Sequence, residues 1–140
     1  MSTTYTSLIV HAVFSTKYRT PAIGPAIQAG LYAYIVGIVR QQKGKLLEIG
    51  GMPDHVHILL QINPSISISE LLQHVKGSSS RWLQTLDTTF AWQRGYGAFS
   101  VSKSNVDRVR RYIQKQEEHH RNESFETELI RLLRKHNIPK

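Results

Sequence analysis

The chain has 140 residues, 40% hydrophobic and 20% charged, which is the size and balance of one globular domain. It has no cysteine, which excludes a disulfide framework, a cysteine nucleophile and a thiolate zinc site, and fits a reducing compartment. Eighteen Lys and Arg against ten Asp and Glu leave a net charge of +8, which suits either a polyanionic partner or a solvated basic surface.

The first residues, "MSTTYTSLIV", lack the charged and apolar regions of a signal peptide, and no apolar run is long enough for a membrane span. The expectation is a soluble cytoplasmic protein with a single domain over residues 1–140. Residues 7–14, "SLIVHAVF", are β-branched and aromatic and predict a strand. Pro21 and Gly24 interrupt the pattern. From about 26 to 42, Leu31, Tyr34, Ile35 and Ile38 recur at helical spacing, and Gly44 ends that helix. "LLEIGGMP" and "HVHILLQI" predict two strands joined near Gly50, Gly51 and Pro53. Ser67 with Glu70 forms a capping box before a helix that runs towards Gln84. "GYGAFSVS" (95–102) predicts a fourth strand. Ser104 with Asp107 gives a second capping signature, opening a helix over about 105–120, and Ser124 caps a last helix that ends near Lys135.

The order β-α-β-β-α-β with further C-terminal helices is an α+β, ferredoxin-like pattern: an antiparallel sheet with helices on one face and its other face open. Within the third strand, alternation places His55, His57 and Leu59 on the open face and Val56, Ile58 and Leu60 in the core. Two imidazoles at i and i+2 can chelate one metal ion, but they are equally readable as two partly exposed strand histidines. No further ligand follows locally; His11 on the first strand is a candidate, but a lone strand histidine is more often structural.

In the 105–120 helix, Val106, Val109 and Ile113 form the buried stripe, with Tyr112 beside it and Gln116 one turn on. Arg108, Arg110, Arg111 and Lys115 surround the tyrosine with positive charge, which favours the phenolate. Phenolate is a competent nucleophile. A tyrosine at a core rim among solvated arginines is the plainer reading. Trp82 and Trp92 read either as core residues or as platforms for unpaired bases.

At this point the chain resembles the single-tyrosine HUH transposases of small bacterial insertion sequences, a group that includes the REP-associated tyrosine transposases. The histidine–hydrophobic–histidine motif is His55-Val56-His57, after "GGMPD". The Tyr-x-x-x-Gln motif is Tyr112-Ile113-Gln114-Lys115-Gln116, followed by His119-His120. The stretches "FSTKYRTP", "LLQHVKGSSSRWL" and "WQRGYGAFSVS" add to the likeness, which covers about residues 5–137. The pair of motifs at this separation is specific, although HUH alone is not.

The resemblance implies a C-terminal helix carrying Tyr112 as nucleophile. It also implies a divalent ion, Mg²⁺ or Mn²⁺, bound by His55, His57 and Gln116. Its other implications are single-stranded DNA with hairpins at transposon ends as substrate, a 5′-phosphotyrosine intermediate, and a homodimer whose sites are built from two subunits. Neither ATP nor any other nucleotide cofactor is required, and no P-loop motif occurs. Lys76, Arg81, Arg94, Lys103, Arg108, Arg111 and Lys115 are the basic residues placed to grip DNA. Three other readings stay open: a relative that cuts host repeat hairpins, an RRM-like nucleic-acid-binding module suggested by the partial match "RGYGAF", and a zinc protein using His55 and His57.

Overall fold

The computed structural model describes residues 3–139. Four strands, β1 (Ile9–Ser15), β2 (Lys45–Met52), β3 (His55–Gln61) and β4 (Gly97–Ser100), form one antiparallel sheet in the order β2-β3-β1-β4. Helices α1 (Pro25–Gln41) and α2 (Ile68–Gln84) pack together on one face. α1 starts with Pro25 in its first turn, where a missing N–H costs nothing, and buries Leu31, Ile35, Ile38 and Val39. α2 is capped as expected: the Ser67 hydroxyl accepts the Glu70 N–H at 3.1 Å. Leu71, Leu72, Val75 and Leu83 of α2 and the α1 stripe meet Ala12, Phe14, Val56, Ile58 and Leu60 of the sheet in one continuous core.

The other face is not open. It is covered by α3 (Val106–Gln114), the single turn α4 (Gln116–His119) and α5 (Phe125–Lys135). α3 seats Val106, Val109 and Ile113 against Ile9 and Leu59, and α5 seats Phe125, Leu129, Leu132 and Leu133 against Val13 and Phe99. Between these two small apolar clusters lie the histidines of β1 and β3. Among the described residues, no helix is long and apolar enough to cross a membrane.

Several local expectations change. Gly50 and Gly51 lie inside β2, and the connection is the two-residue turn Pro53-Asp54. At Gly50 the α3 backbone rests on the sheet so closely that a Cβ would fall 2.5 Å from the Ile113 carbonyl oxygen. The expected 105–120 helix is broken: Lys115 leaves helical geometry at φ −101°, ψ 26°, so Gln116 starts a separate turn. Ser104 caps nothing, because a 3₁₀ turn over Lys103–Asn105 leads into α3. The Ser124 cap does form, its hydroxyl accepting the Thr127 N–H at 3.2 Å.

The tryptophans are packed rather than presented. Trp92 is buried and donates its indole N–H to the Ser79 hydroxyl at 3.0 Å, while Trp82 stacks on Tyr34 at 5.4 Å. The RRM-like sheet platform is also absent, since Phe99 is covered by α5.

Candidate active site

β3 delivers His55 and His57 to the same side of the sheet, and both are 0% exposed. This replaces the expectation of partly exposed imidazoles. α5 supplies the group that gathers them: Glu128, also 0% exposed, at the centre of the second face. Its Oε1 lies 2.9 Å from His57 Nε2, 3.3 Å from His55 Nε2 and 3.0 Å from His120 Nε2. Its Oε2 accepts the Gln116 side-chain N–H at 2.9 Å and the Tyr112 hydroxyl. Gln116 Oε1 lies 2.9 Å from His55 Nε2. One carboxylate thus turns one oxygen to the histidines and the other to the tyrosine.

Neighbours fix each ring. Asp54, in the turn before β3, lies 2.7 Å from His55 Nδ1. His11 on β1 lies with Nε2 2.8 Å from His57 Nδ1. Arg131, one turn after Glu128, donates to the Tyr112 oxygen at 3.2 Å and pairs with Glu123 at 2.7 Å. The His119 ring lies 4.6 Å from the Tyr112 ring, tilted by 30°. Its Nε2 is the one buried side-chain polar atom without a hydrogen-bond partner among the described residues.

The electrostatics follow from burial set against these contacts. Burial alone disfavours charge on His55, but bonds to Asp54, Glu128 and Gln116 outweigh it and carry the pKa up to about 9. His57, fully buried, is pushed down, and burial with His57 beside it lowers His11 to about 3. Burial would raise Glu128, yet the histidines and Tyr112 hold it far below the usual carboxylate range. Tyr112 goes the opposite way from the sequence expectation. Burial, then Glu128, raise it well above an ordinary phenol, and Arg131 offsets only part of this. The exposed α3 arginines are not among the groups acting on Tyr112, and Arg110 pairs with Glu48 at 3.5 Å instead, so the neutral phenol is favoured.

The donor chemistry fits a metal. One atom each from His55, His57 and Glu128 all lie within 4.8 Å of one another. Separations of 2.9 to 3.3 Å between Nε2 and Oε1 atoms are close to the roughly 3 Å between adjacent ligands of an ion bound at about 2.1 Å. Imidazole nitrogens with carboxylate oxygen suit several divalent ions. This buried His–His–Glu group can hold a metal; the sequence reading had Gln116 beside the two histidines, and the structure adds Glu128 of α5 to the same cluster.

The surrounding sequence carries the same identity. Residues 4–116 match the family model described as "Transposase IS200 like". The chain belongs to the IS200-like transposase family. It is a DNA transposase by that membership. It is 32% identical over 114 residues to the transposase of insertion sequence element IS200 from Salmonella typhimurium, covering 76% of this chain and 74% of the relative. It is 26% identical to the ISDra2 transposase TnpA of Deinococcus radiodurans, covering 76% and 81%. Among solved structures it resembles a Deinococcus radiodurans R1 protein described as a transposase, with a TM-score of 0.68, 25% identity and coverage of 83% and 95%. A REP-associated tyrosine transposase bound to a REP hairpin shares the fold, with a TM-score of 0.66, 12% identity and coverage of 86% and 73%.

The family match ends at Gln116, before α5 begins, so Glu128 and Arg131 lie beyond it. Sequence reading missed Glu128, yet a signal was available. Phe125, Glu128 and Leu132 occupy one helical stripe, and a carboxylate on an apolar stripe needs partners in the core. Asp54, directly before the first motif histidine, was missed as well.

Of the basic residues expected at DNA, Arg108, Arg111 and Lys115 are exposed on or beside α3, and Lys103 is exposed just before it. Lys76 is engaged elsewhere, donating to the carbonyls of Gln93 and Gly95 at 2.7 and 2.6 Å. Arg81 sits on α2, against the opposite face of the sheet, and bonds Ser78. Arg94 is exposed in the loop before β4.

Proposed function

We propose that this transposase, acting as one domain, cuts and rejoins single-stranded DNA at transposon ends through Tyr112. The observation that carries the reading is the shared carboxylate, since Glu128 bonds the tyrosine hydroxyl on one oxygen and the two motif histidines on the other. His55, His57 and Glu128, with Gln116 beside them, are the residues that would hold a divalent ion, Mg²⁺ or Mn²⁺. When bound, such an ion polarises a phosphate oxygen as a Lewis acid and orients the scissile group.

The chain's own residues do the rest. Glu128 Oε2, which already accepts the phenol's hydrogen bond, takes its proton during attack, and Arg131 stabilises the developing phenolate. The Tyr112 oxygen bonds to phosphorus while the bond from phosphorus to the 3′ oxygen breaks, and that oxygen leaves as a 3′-hydroxyl with the proton that Glu128 took up. The product is a 5′-phosphotyrosine that a second 3′-hydroxyl attacks to join strands. One phosphodiester replaces another, so no nucleotide cofactor is needed. Arg111, Lys115 and Lys103 hold hairpin-bearing ends, in the cytoplasm where such DNA is found.

The protein acts as a homodimer whose sites need not be shared, because Tyr112 and the histidines of one chain already converge. Mixing His57→Ala with Tyr112→Phe under subunit exchange then restores no activity. Recovery would mean that the tyrosine helices swap between subunits. The central test is incubation with single-stranded candidate ends and Mg²⁺. Wild type forms a covalent protein–DNA adduct and Tyr112→Phe forms none while still binding DNA. An adduct from the phenylalanine variant removes Tyr112 from the mechanism. If the zinc reading holds instead, zinc binds as a fixed constituent and EDTA-treated protein is not reactivated by Mg²⁺.

A further inference from the structure

Beside Tyr112, separate from the buried carboxylate, a cavity of about 270 Å³ opens between β4, α3 and α5. Tyr112 forms its inner wall and Phe99 with His136 another, the two rings stacked at 4.6 Å with their planes 19° apart. Arg108, Arg131 and Lys135 ring it, and no carboxylate lines it. Arg131 is shared with Glu123 and the Tyr112 oxygen. Arg108 and Lys135 are exposed, and among the described residues neither makes an ion pair.

Three cations around an aromatic wall suit a group with phosphate at its edges and a flat ring in its middle. The volume admits one such unit and not a base pair. Tyr112 borders this opening, which therefore adjoins any phosphate placed at the Tyr112 oxygen.

We propose that the cavity seats the unpaired nucleotide next to the phosphate that Tyr112 attacks. Its base lies on the half-buried His136 ring, which itself rests on the buried Phe99, and its outer phosphate lies between Arg108 and Lys135. This rests on the reading of Tyr112 as the attacking group, but the site can be tested without activity. Thymidine 3′,5′-bisphosphate, titrated into EDTA-treated protein, shifts the His136 ring and Phe99 signals in NMR with a saturable isotherm. Inorganic phosphate binds at least tenfold more weakly, and the Arg108→Ala/Lys135→Ala double variant, altered only at exposed positions, loses at least tenfold in affinity for the bisphosphate. Phosphate binding as tightly as the nucleotide, shifts confined elsewhere, or a double variant that binds like wild type would each overturn the proposal. An abasic residue beside the cleaved phosphate further raises the DNA concentration for half-maximal adduct formation. It does so in wild type and not in His136→Ala. Equal penalties in both would also overturn it. Failure of wild type to form any adduct counts against Tyr112 as nucleophile, while the bisphosphate titration still decides the cavity.

Discussion

The two faces of the sheet are built on opposite principles. Under α1 and α2 lies one apolar core with Ala12, Phe14, Ile58 and Leu60 at its centre. Under α3 and α5 the apolar contacts split into two small clusters, and between them is a polar centre of three histidines, a glutamine and a glutamate, all buried. The first face holds the molecule together through area removed from water. The second is held by a few side chains at its rim and by hydrogen bonds among its buried charged groups, because an unpaired buried charge is costly. The histidine–glutamate cluster sits on the face with fewer apolar contacts and more buried polar groups.

Glu128→Ala separates the faces most sharply. It should abolish adduct formation, eliminate metal-induced thermal stabilisation and cost roughly 3–5 kcal/mol in metal-free protein, since buried imidazoles lose their partner. A denaturant midpoint equal to wild type would mean that the carboxylate is not holding this face. Leu72→Ala on the other face should cost about 2–5 kcal/mol through its cavity, yet leave the adduct yield per folded molecule unchanged. A selective loss of chemistry there would show that the faces are coupled.

The pH dependence of the metal-free protein sharpens the contrast further. The folded state raises His55 from 6.5 to about 9, so its contribution is full below pH 6.5 and is lost as pH rises towards 9. His11 is lowered to about 3 and His57 is lowered too, so their contributions are present above pH 6.5 and are lost on acidification. Glu128, also lowered, adds to the acid limb below its ordinary 4.5. The melting temperature should therefore peak near pH 6.5 and fall on both sides. A flat profile from 6 to 9 would show that His55 does not gain a proton's worth of partners on folding.

The smallest effect concerns DNA. Arg111→Ala should reduce the slope of log affinity against log salt by about 0.7, the value for one phosphate on a single strand, while Arg81→Ala leaves it unchanged. Equal slopes for both variants would mean that binding is not confined to the histidine face.

Much of this was legible in the residues. Alternation in "HVHILLQI" put both histidines on one face, and the Ser67 and Ser124 caps placed two helix starts. What could not be read was closure. Nothing local says that α5 folds back over β1 and β4, because its stripe would fit any apolar surface. Without that closure Glu128 is one more surface acid and Tyr112 looks surrounded by cations. The break at Lys115 was hidden as well, since the residues from Arg110 to Glu118 favour continuous helix, and the turn geometry there is imposed by the contacts of Gln116.

Gly50 gives the second face a property of another kind. Ile113, whose carbonyl bears on that glycine, is the residue after Tyr112, so the depth of the phenol oxygen is gauged by a spacer one hydrogen atom thick. Any side chain at position 50 acts as a shim between α3 and β2, and its thickness passes almost undiminished to the neighbouring tyrosine. The proposed transfer to phosphorus needs an approach of roughly 3–3.5 Å, and shifts of 1 Å are costly. The distance for the proposed attack is thus set on the far side of the helix, at a residue outside the histidine–glutamate cluster.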